Sequence, residues 1–116
     1  MKMIIVRTIM NVLPEKQKEV LQTLLSMHEP PGKTSGCRSY GIFCDIEDKN
    51  VFSLISEWRT REDLDRHIRS ERFSVLLGTK SLLAKPLEMK IHTVSQSEGM
   101  EIVKTLRGMG NSKTNL

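Results

Sequence analysis

Hydrophobic and polar positions alternate near the start of the chain, over residues 3–12. One face of this stretch carries Ile4, Val6, Thr8 and Met10, and the other carries Ile5, Arg7, Ile9 and Asn11. Because the side chains of a strand point alternately to its two faces, the pattern predicts a strand with one drier side. Pro14 is expected to end it.

After Pro14, which suits a first helical turn, the hydrophobic spacing becomes helical. The positions that recur at this spacing are Val20, Leu21, Leu24, Leu25 and His28. Pro30-Pro31-Gly32 then stops the run, so the sequence predicts a first helix between these prolines.

Two β-rich segments, 37–44 and 51–58, follow, with the polar residues 45–50 between them. This arrangement predicts an antiparallel hairpin whose last residue is Trp58, the only tryptophan of the chain. Cys37 and Cys44 lie in the first of these strands. Their separation along it, more than about 20 Å, forbids a disulfide between them, and their odd offset predicts that they lie on opposite faces.

Thr60 and Asp63 match the capping-box pattern, which predicts that a second helix begins near Arg61. The inward side of this helix is expected to carry Leu64, His67 and Ile68. His67 would then lie beneath Trp58, between the sheet and the helix. Such an imidazole is either a core histidine with a backbone partner or a residue of a small binding pocket.

The helical pattern restarts near Ser70, and a last strand is predicted over 87–94, after Pro86. The apolar face of this second part is formed by Phe73, Leu76, Leu77 and Leu83. The element order β-α-β-β-α-β predicts an α+β fold of the ferredoxin-like, split βαβ type. In this fold one antiparallel four-stranded sheet carries its helices on one face.

The other face of that sheet would leave Ile5, Ile9 and Ile55 in water. A homodimer that packs two such sheets together covers them, so a dimeric α+β barrel is expected. We assign residues 1–96 to the ferredoxin-like domain and 97–116 to a C-terminal helical extension with a frayed tail. Its short amphipathic helix carries the stripe Met100, Val103 and Leu106. Alone it is marginal, and it is expected to dock on the partner or on the body of the chain.

Composition narrows the choice of partners for this single domain of 116 residues. The net charge of +4 invites a nucleic-acid interpretation, but the arginines of residues 59–72 are interleaved with acidic residues, and aromatic residues make up only 4%. We therefore expect no nucleic-acid partner. No apolar run approaches the ~20 residues of a membrane helix, and the N-terminal run is too short for a signal peptide. The expectation is a cytoplasmic protein without a membrane partner.

Cofactor motifs are missing from the sequence. It contains no CxxC, no HExxH, no acidic cluster with ligand spacing and no glycine-rich phosphate loop. Its three histidines are scattered. The sequence therefore predicts no metal and no flavin or nucleotide cofactor.

A series of short motifs occurs in order, with near-gapless spacing, over residues 3–95. They are Gly36-Cys37-x-Ser39-Tyr40, Asp45-x-Glu47-Asp48, Phe52-x-Leu54, Glu57-Trp58, Leu64-x-x-His67, Ser70-x-x-Phe73 and Leu83-x-x-Pro86. Together they resemble the antibiotic biosynthesis monooxygenase family of dimeric α+β barrels. The tail Glu98-Gly-Met-Glu101 resembles an uncharacterised bacterial subgroup of that family.

The resemblance implies a cofactor-independent monooxygenase that acts with dioxygen on a small aromatic substrate, such as a quinol or an anthrone. An electron-rich enolate or phenolate can itself pass an electron to dioxygen, so such an enzyme needs a base, orientation and a dry cavity. The resemblance implies His67 as the catalytic group. The substrate-binding residues that it implies are Trp58, Tyr40, Thr8, Ser56 and Phe73.

Two departures from the family pattern bear on function. Many members carry a glutamate two residues before the tryptophan, where this chain has Ser56, and the neighbouring Glu57 is expected on the opposite strand face. The characteristic residues of the haem-degrading branch are missing at Thr8, His67 and Leu77, so haem degradation is not expected. The alternative is a non-catalytic or stress-related small-ligand-binding dimer of the same fold, and isomerase or aldehyde-degrading chemistry stays open.

Overall fold

The computed structural model describes residues 3–27 and 36–108, and these residues form one four-stranded sheet with four α-helices. The strands are β1 (Met3–Asn11), β2 (Cys37–Cys44), β3 (Val51–Trp58) and β4 (Glu88–Val94). The helices are α1 (Gln17–Ser26), α2 (Arg61–Ile68), α3 (Glu71–Leu77) and α4 (Met100–Leu106). The strand order is β2-β3-β1-β4, and neighbours are antiparallel throughout. The predicted ferredoxin-like α+β fold is therefore confirmed.

Most element boundaries agree with the sequence patterns. Both hairpin strands have the predicted bounds, and β4 begins one residue later than expected, at Glu88. Helix α2 begins at Arg61, where the Thr60 hydroxyl accepts a hydrogen bond from the Asp63 amide at 3.1 Å. Helix α1 ends at Ser26, while the predicted stop signal at 30–32 and His28 lie outside the described residues.

The core lies between the sheet and helices α1, α2 and α3. Alternate residues of the two central strands are buried there, as predicted: Ile4, Val6, Thr8, Met10, Phe52, Leu54, Ser56 and Trp58. Helix α1 buries Val20 and Leu24, but Leu21 and Leu25 are exposed. Successive helical residues are turned by about 100°, so Leu21 and Leu25 point away from the side of α1 that packs on the sheet. The buried stripe of α1 is therefore narrower than predicted.

Strand β2 carries a bulge between Cys37 and Ser39. Cys37 is opposite Trp58 in β3, and Cys44 is opposite Phe52, so both cysteines share the helix-covered face. The prediction that they lie on opposite faces was wrong, because the bulge adds one residue to the alternation. In the described part of the chain the two cysteines form no disulfide, and Cys37 is buried while Cys44 is exposed.

The opposite face of the sheet has no helix over it in the described part of the chain. Ile5 and Ile9 of β1 are half-buried there, and Ile55 of β3 is 37% exposed. Helix α4 is present as predicted, but it buries none of its residues, and its docking on a partner stays a prediction. The described helices are all too short or too polar to span a lipid bilayer.

Candidate functional site

His67 lies on the inner side of α2, and its ring packs between two aromatic rings. Its centroid is 4.7 Å from that of Trp58, with the planes tilted by 34°, and 5.6 Å from that of Phe73, in an edge-on arrangement. This contact follows from the chain path, because α2 begins three residues after Trp58 and returns over the end of β3. The half-buried imidazole therefore points inward, as its helical position predicts.

Ser70 joins α2 to α3 and fixes the backbone on both sides of the junction. Its hydroxyl donates a hydrogen bond to the His67 carbonyl oxygen at 2.6 Å and accepts one from the Phe73 amide at 3.2 Å. The second of these bonds is the N-cap of α3. One side chain thus sets the positions of His67 and Phe73 relative to each other.

Trp58 is only 2% exposed, and its polar group is satisfied inside the protein. The indole Nε1–H donates to the Ser56 hydroxyl oxygen at 2.9 Å. Ser56 lies two residues earlier, on the same face of β3, which places it next to the indole. The indole N–H is therefore already hydrogen-bonded to Ser56, and the indole ring packs against the His67 ring.

A small cavity lies between the sheet and the helices. Five of the six predicted site residues line it: His67, Tyr40, Thr8, Ser56 and Phe73. Trp58 is absent from the lining and lies behind His67 and Ser56. The remaining lining is apolar, and it includes Leu64 and Leu76 from the predicted inward faces of the helices. It also includes Met27 and Met89, which the sequence patterns did not single out.

The cavity is narrow in this structure. Its volume is about 20 Å³, which accommodates about one water molecule. Pockets that bind drug-sized molecules occupy ~300–1,000 Å³. The wall must therefore move before an aromatic ring can reach His67.

Tyr40 reaches the cavity from β2, opposite Ser56 of β3. Burial raises the pKa of the Tyr40 phenol above its ordinary value, and the nearby Cys37 adds to this rise, while the Arg72 guanidinium acts to lower the pKa. Because the pKa is raised, the phenol stays protonated at neutral pH. Tyr40 can therefore donate a hydrogen bond in the cavity.

Arg72 ties α3 to the end of α1. Its guanidinium donates a hydrogen bond to the Met27 carbonyl oxygen at 3.0 Å. Met27 is the C-cap of α1, so a cation at this position also interacts favourably with the negative end of the helix. The contact joins residues 45 positions apart and has no local sequence signal.

Glu57 lies on the open face of the sheet, opposite Ile5 of β1, as the alternation predicts. The described residues that line the cavity include no aspartate or glutamate. Within the described part of the chain, no three His, Cys, Asp or Glu side chains are grouped as they would be around a metal ion. His67 is thus accompanied by the hydroxyls of Tyr40, Thr8 and Ser56 and by apolar side chains.

Known proteins resemble this chain over most of its length. The sequence profile of a family described as antibiotic biosynthesis monooxygenase matches residues 3–76. An uncharacterized protein of Synechocystis sp. is 31% identical over 96 residues, which are 82% of this chain. The chain spans only 65% of the length of that curated relative.

Several solved structures share the fold. A conserved protein from Methanosarcina mazei Go1 has a TM-score of 0.73 at 31% identity, with 79% of this chain and 92% of that chain covered. A Mycobacterium tuberculosis protein has a TM-score of 0.74 at 20% identity, with coverages of 84% and 99%. A Nitrosomonas europaea protein that carries the family's name has a TM-score of 0.73 at 18% identity, with coverages of 84% and 94%, and these last two show the fold alone. Because the family profile covers more than half of the chain, this protein belongs to the antibiotic biosynthesis monooxygenase family.

Proposed function

We propose that this protein is a cofactor-independent monooxygenase that oxidises a small aromatic substrate of the quinol or anthrone type with dioxygen. The observation that carries the proposal is the inward-facing His67 in a cavity whose described lining has no Asp, Glu, Lys or Arg and presents the hydroxyls of Tyr40, Thr8 and Ser56. Membership of the family supports the same reaction class. An imidazole exchanges protons near neutral pH, which suits a general base.

The proposed reaction is written here for an anthrone-type methylene. His67 removes one methylene proton, and the resulting carbanion transfers electrons to dioxygen as a carbon–oxygen bond forms. The peroxide takes up a proton, and the loss of water with the second methylene hydrogen leaves a ketone. One oxygen atom enters the product and the other leaves as water, so the substrate supplies all of the reducing electrons.

The other polar groups have roles that fit their protonation and contacts. Tyr40 stays protonated at neutral pH and can donate a hydrogen bond to the oxygen that carries the developing negative charge. Ser56 accepts a hydrogen bond from the indole N–H of Trp58, so its own hydroxyl hydrogen is available to a bound molecule. Trp58 and Phe73 hold the imidazole plane in a fixed direction, which orients the base.

A second candidate function is a small-ligand-binding dimer without catalysis. Two observations favour it: the small volume of the cavity, about 20 Å³, and the absence of a carboxylate among the described residues that line it. Ser56 stands where many family members carry a glutamate, so His67 lacks that partner from β3. A ligand-binding protein would require the same polar groups for recognition alone.

We also propose that the protein acts as a homodimer. The open sheet face carries Ile5, Ile9 and Ile55, with the exposed Phe43 on the neighbouring strand. An apolar sheet face of this kind is stabilised when a second copy covers it. A two-fold arrangement of the two open faces would place the helices and both cavities on the outside.

Oxygen uptake with a panel of quinols and anthrones tests the catalytic proposal. We expect wild-type protein to consume dioxygen, and we expect His67→Gln to lower turnover by ~10²-fold or more with little effect on the fold. The pH profile of the variant should lose its near-neutral limb. His92→Gln removes an imidazole from the opposite face of β4, opposite Ile5, and should keep the wild-type rate.

The result that would contradict this role is an active wild type whose His67→Gln variant keeps its rate. If that variant loses only thermal stability, His67 is a packing residue, and the polar candidates in the cavity are then Tyr40, Thr8 and Ser56. If the wild type binds members of the panel without consuming dioxygen, the ligand-binding function is the better description.

A further inference from the structure

On the sheet side, the wall of the cavity is well buried at the two central strands and half-buried at the two edge strands, β2 and β4. Its lining residues from the two central strands, Thr8 and Ser56, are only 3% and 8% exposed. Met89 of β4 lines the same cavity but is half-buried, so it reaches from the cavity to the protein surface. In the sheet it lies directly beside Thr8 on the same face.

Strand β4 differs from the central strands because its helix-side face is bare. Ile91, the next residue on the face of Met89, is 37% exposed, and Thr93 beyond it is also exposed. The corresponding positions of β1 and β3 are buried beneath the helices. Among the residues that line the cavity, Met89 is therefore the one beside the exposed residues Ile91 and Thr93 of β4.

The other two half-buried lining residues are enclosed by neighbours. The His67 ring is held between Trp58 and Phe73. Tyr40 lies between the buried Cys37 and the half-buried Ile42 on the covered face of β2. Neither offers a bare strip of sheet comparable with the one beside Met89.

Methionine is suited to a movable wall. Its side chain is unbranched, has three rotatable bonds and fills irregular space without a strong preference for one rotamer. A rotation of the Met89 side chain toward the bare face would open the cavity without breaking any backbone hydrogen bond of the sheet. Displacing β1 or β3 instead would disrupt strand pairing on both sides.

We propose that Met89 is the gate through which small molecules reach His67, and that its side chain limits the size of the substrate that is admitted. The specificity part of this inference rests on the proposed function, while the access part does not. Met89 would then be a specificity-determining residue, whereas the proton transfer belongs to His67.

Trp58 provides a test of access that needs no knowledge of the substrate. It is the only tryptophan of the chain, and it contacts the lining residues His67 and Ser56. Acrylamide is the probe, because a small neutral quencher that enters the cavity reaches His67 and Ser56 and is then separated from the indole by one layer of side chains. Since removing the thioether leaves unfilled space in the wall, we expect Met89→Ala to raise the quenching constant at least about twofold over wild type.

Two variants serve as controls. Ile91→Ala truncates a side chain on the same strand and face but outside the cavity lining, and it should quench like wild type. Met89→Leu keeps nearly the same volume with a stiffer, branched side chain, so it should quench no more than wild type. If Met89→Ala proves unstable, Met89→Val shortens the side chain with a residue that favours strands, and it should also raise quenching.

An unchanged quenching constant in a folded Met89→Ala variant overturns the gate, and so does an equal rise in Ile91→Ala. With an active panel, we expect Met89→Ala to raise kcat/KM for the largest substrate relative to the smallest by roughly tenfold. A panel that shows no oxygen uptake counts against the proposed function. It leaves the access result to be decided by quenching alone.

Discussion

At the residue scale, Tyr40 can be examined separately because it is the only tyrosine of the chain. Burial raises the pKa of its phenol, so we expect the folded protein to ionise Tyr40 above the ordinary value of about 10. The measurement is phenolate absorbance against pH, with the unfolded protein in denaturant as the reference. A midpoint in the folded protein at or below that of the unfolded chain would show that burial does not dominate.

The same shift has a consequence for stability. A group whose pKa is raised in the folded state contributes stability below its unfolded pKa, and this contribution is lost as the pH rises through the folded pKa. Stability should therefore fall as the pH rises above about 10. The Tyr40→Phe variant should lack this part of the decline, which denaturant titrations at neutral and alkaline pH would measure.

The residues of the site differ in how far the sequence could predict them. The inward direction of His67 follows from its helical spacing to Leu64 and from the cap at Thr60, which are both local signals. The contact between Arg72 and Met27 and the position of Met89 in the wall depend on how distant elements pack. No periodicity within one segment contains that information.

At the scale of elements, the junction of α2 and α3 depends on Ser70. Ser70→Ala removes both the N-cap of α3 and the bond to the His67 carbonyl, so we expect a loss of about 1 kcal/mol in the free energy of unfolding. Chemical denaturation measures this loss. Ser74→Ala, at an exposed position within α3, should be neutral or slightly stabilising because alanine favours helices. Equal stabilities of the two variants would contradict the capping role.

The alternation of residues predicted the hairpin strands to the residue but missed the bulge in β2. The alternation of a strand gives the face of each residue only where no extra residue interrupts it. The bulge between Cys37 and Ser39 adds one residue, so Cys37 lies on the opposite face from the one that the alternation predicts. Tyr40 and Ile42 lie beyond the bulge and keep their pairing with β3. Similarly, the spacing of α1 identified a helix but not whether Val20 and Leu24 or Leu21 and Leu25 would face the core.

At the scale of the whole molecule, the open sheet face predicts the oligomeric state. We expect wild type to sediment with twice the chain mass of 13.3 kDa. Ile55→Glu places a charge in the middle of the apolar face and should shift the equilibrium toward the monomer. Leu25→Glu adds the same charge to an exposed position of α1 and should leave the dimer intact. A wild type that sediments as a monomer at micromolar concentration would contradict the prediction.

The unequal exposure of the two thiols gives the molecule a built-in site for a spin label. A thiol-reactive nitroxide should modify the exposed Cys44 at the end of edge strand β2 and spare the buried Cys37. Two symmetric arrangements are possible for a face-to-face dimer. If the two-fold axis runs along the strands, the two Cys44 positions lie at opposite edges of the sheets, about 18 Å apart. If the axis runs across the strands, they lie about 25 Å apart. One dipolar distance from an unmutated chain would therefore distinguish the two symmetric arrangements.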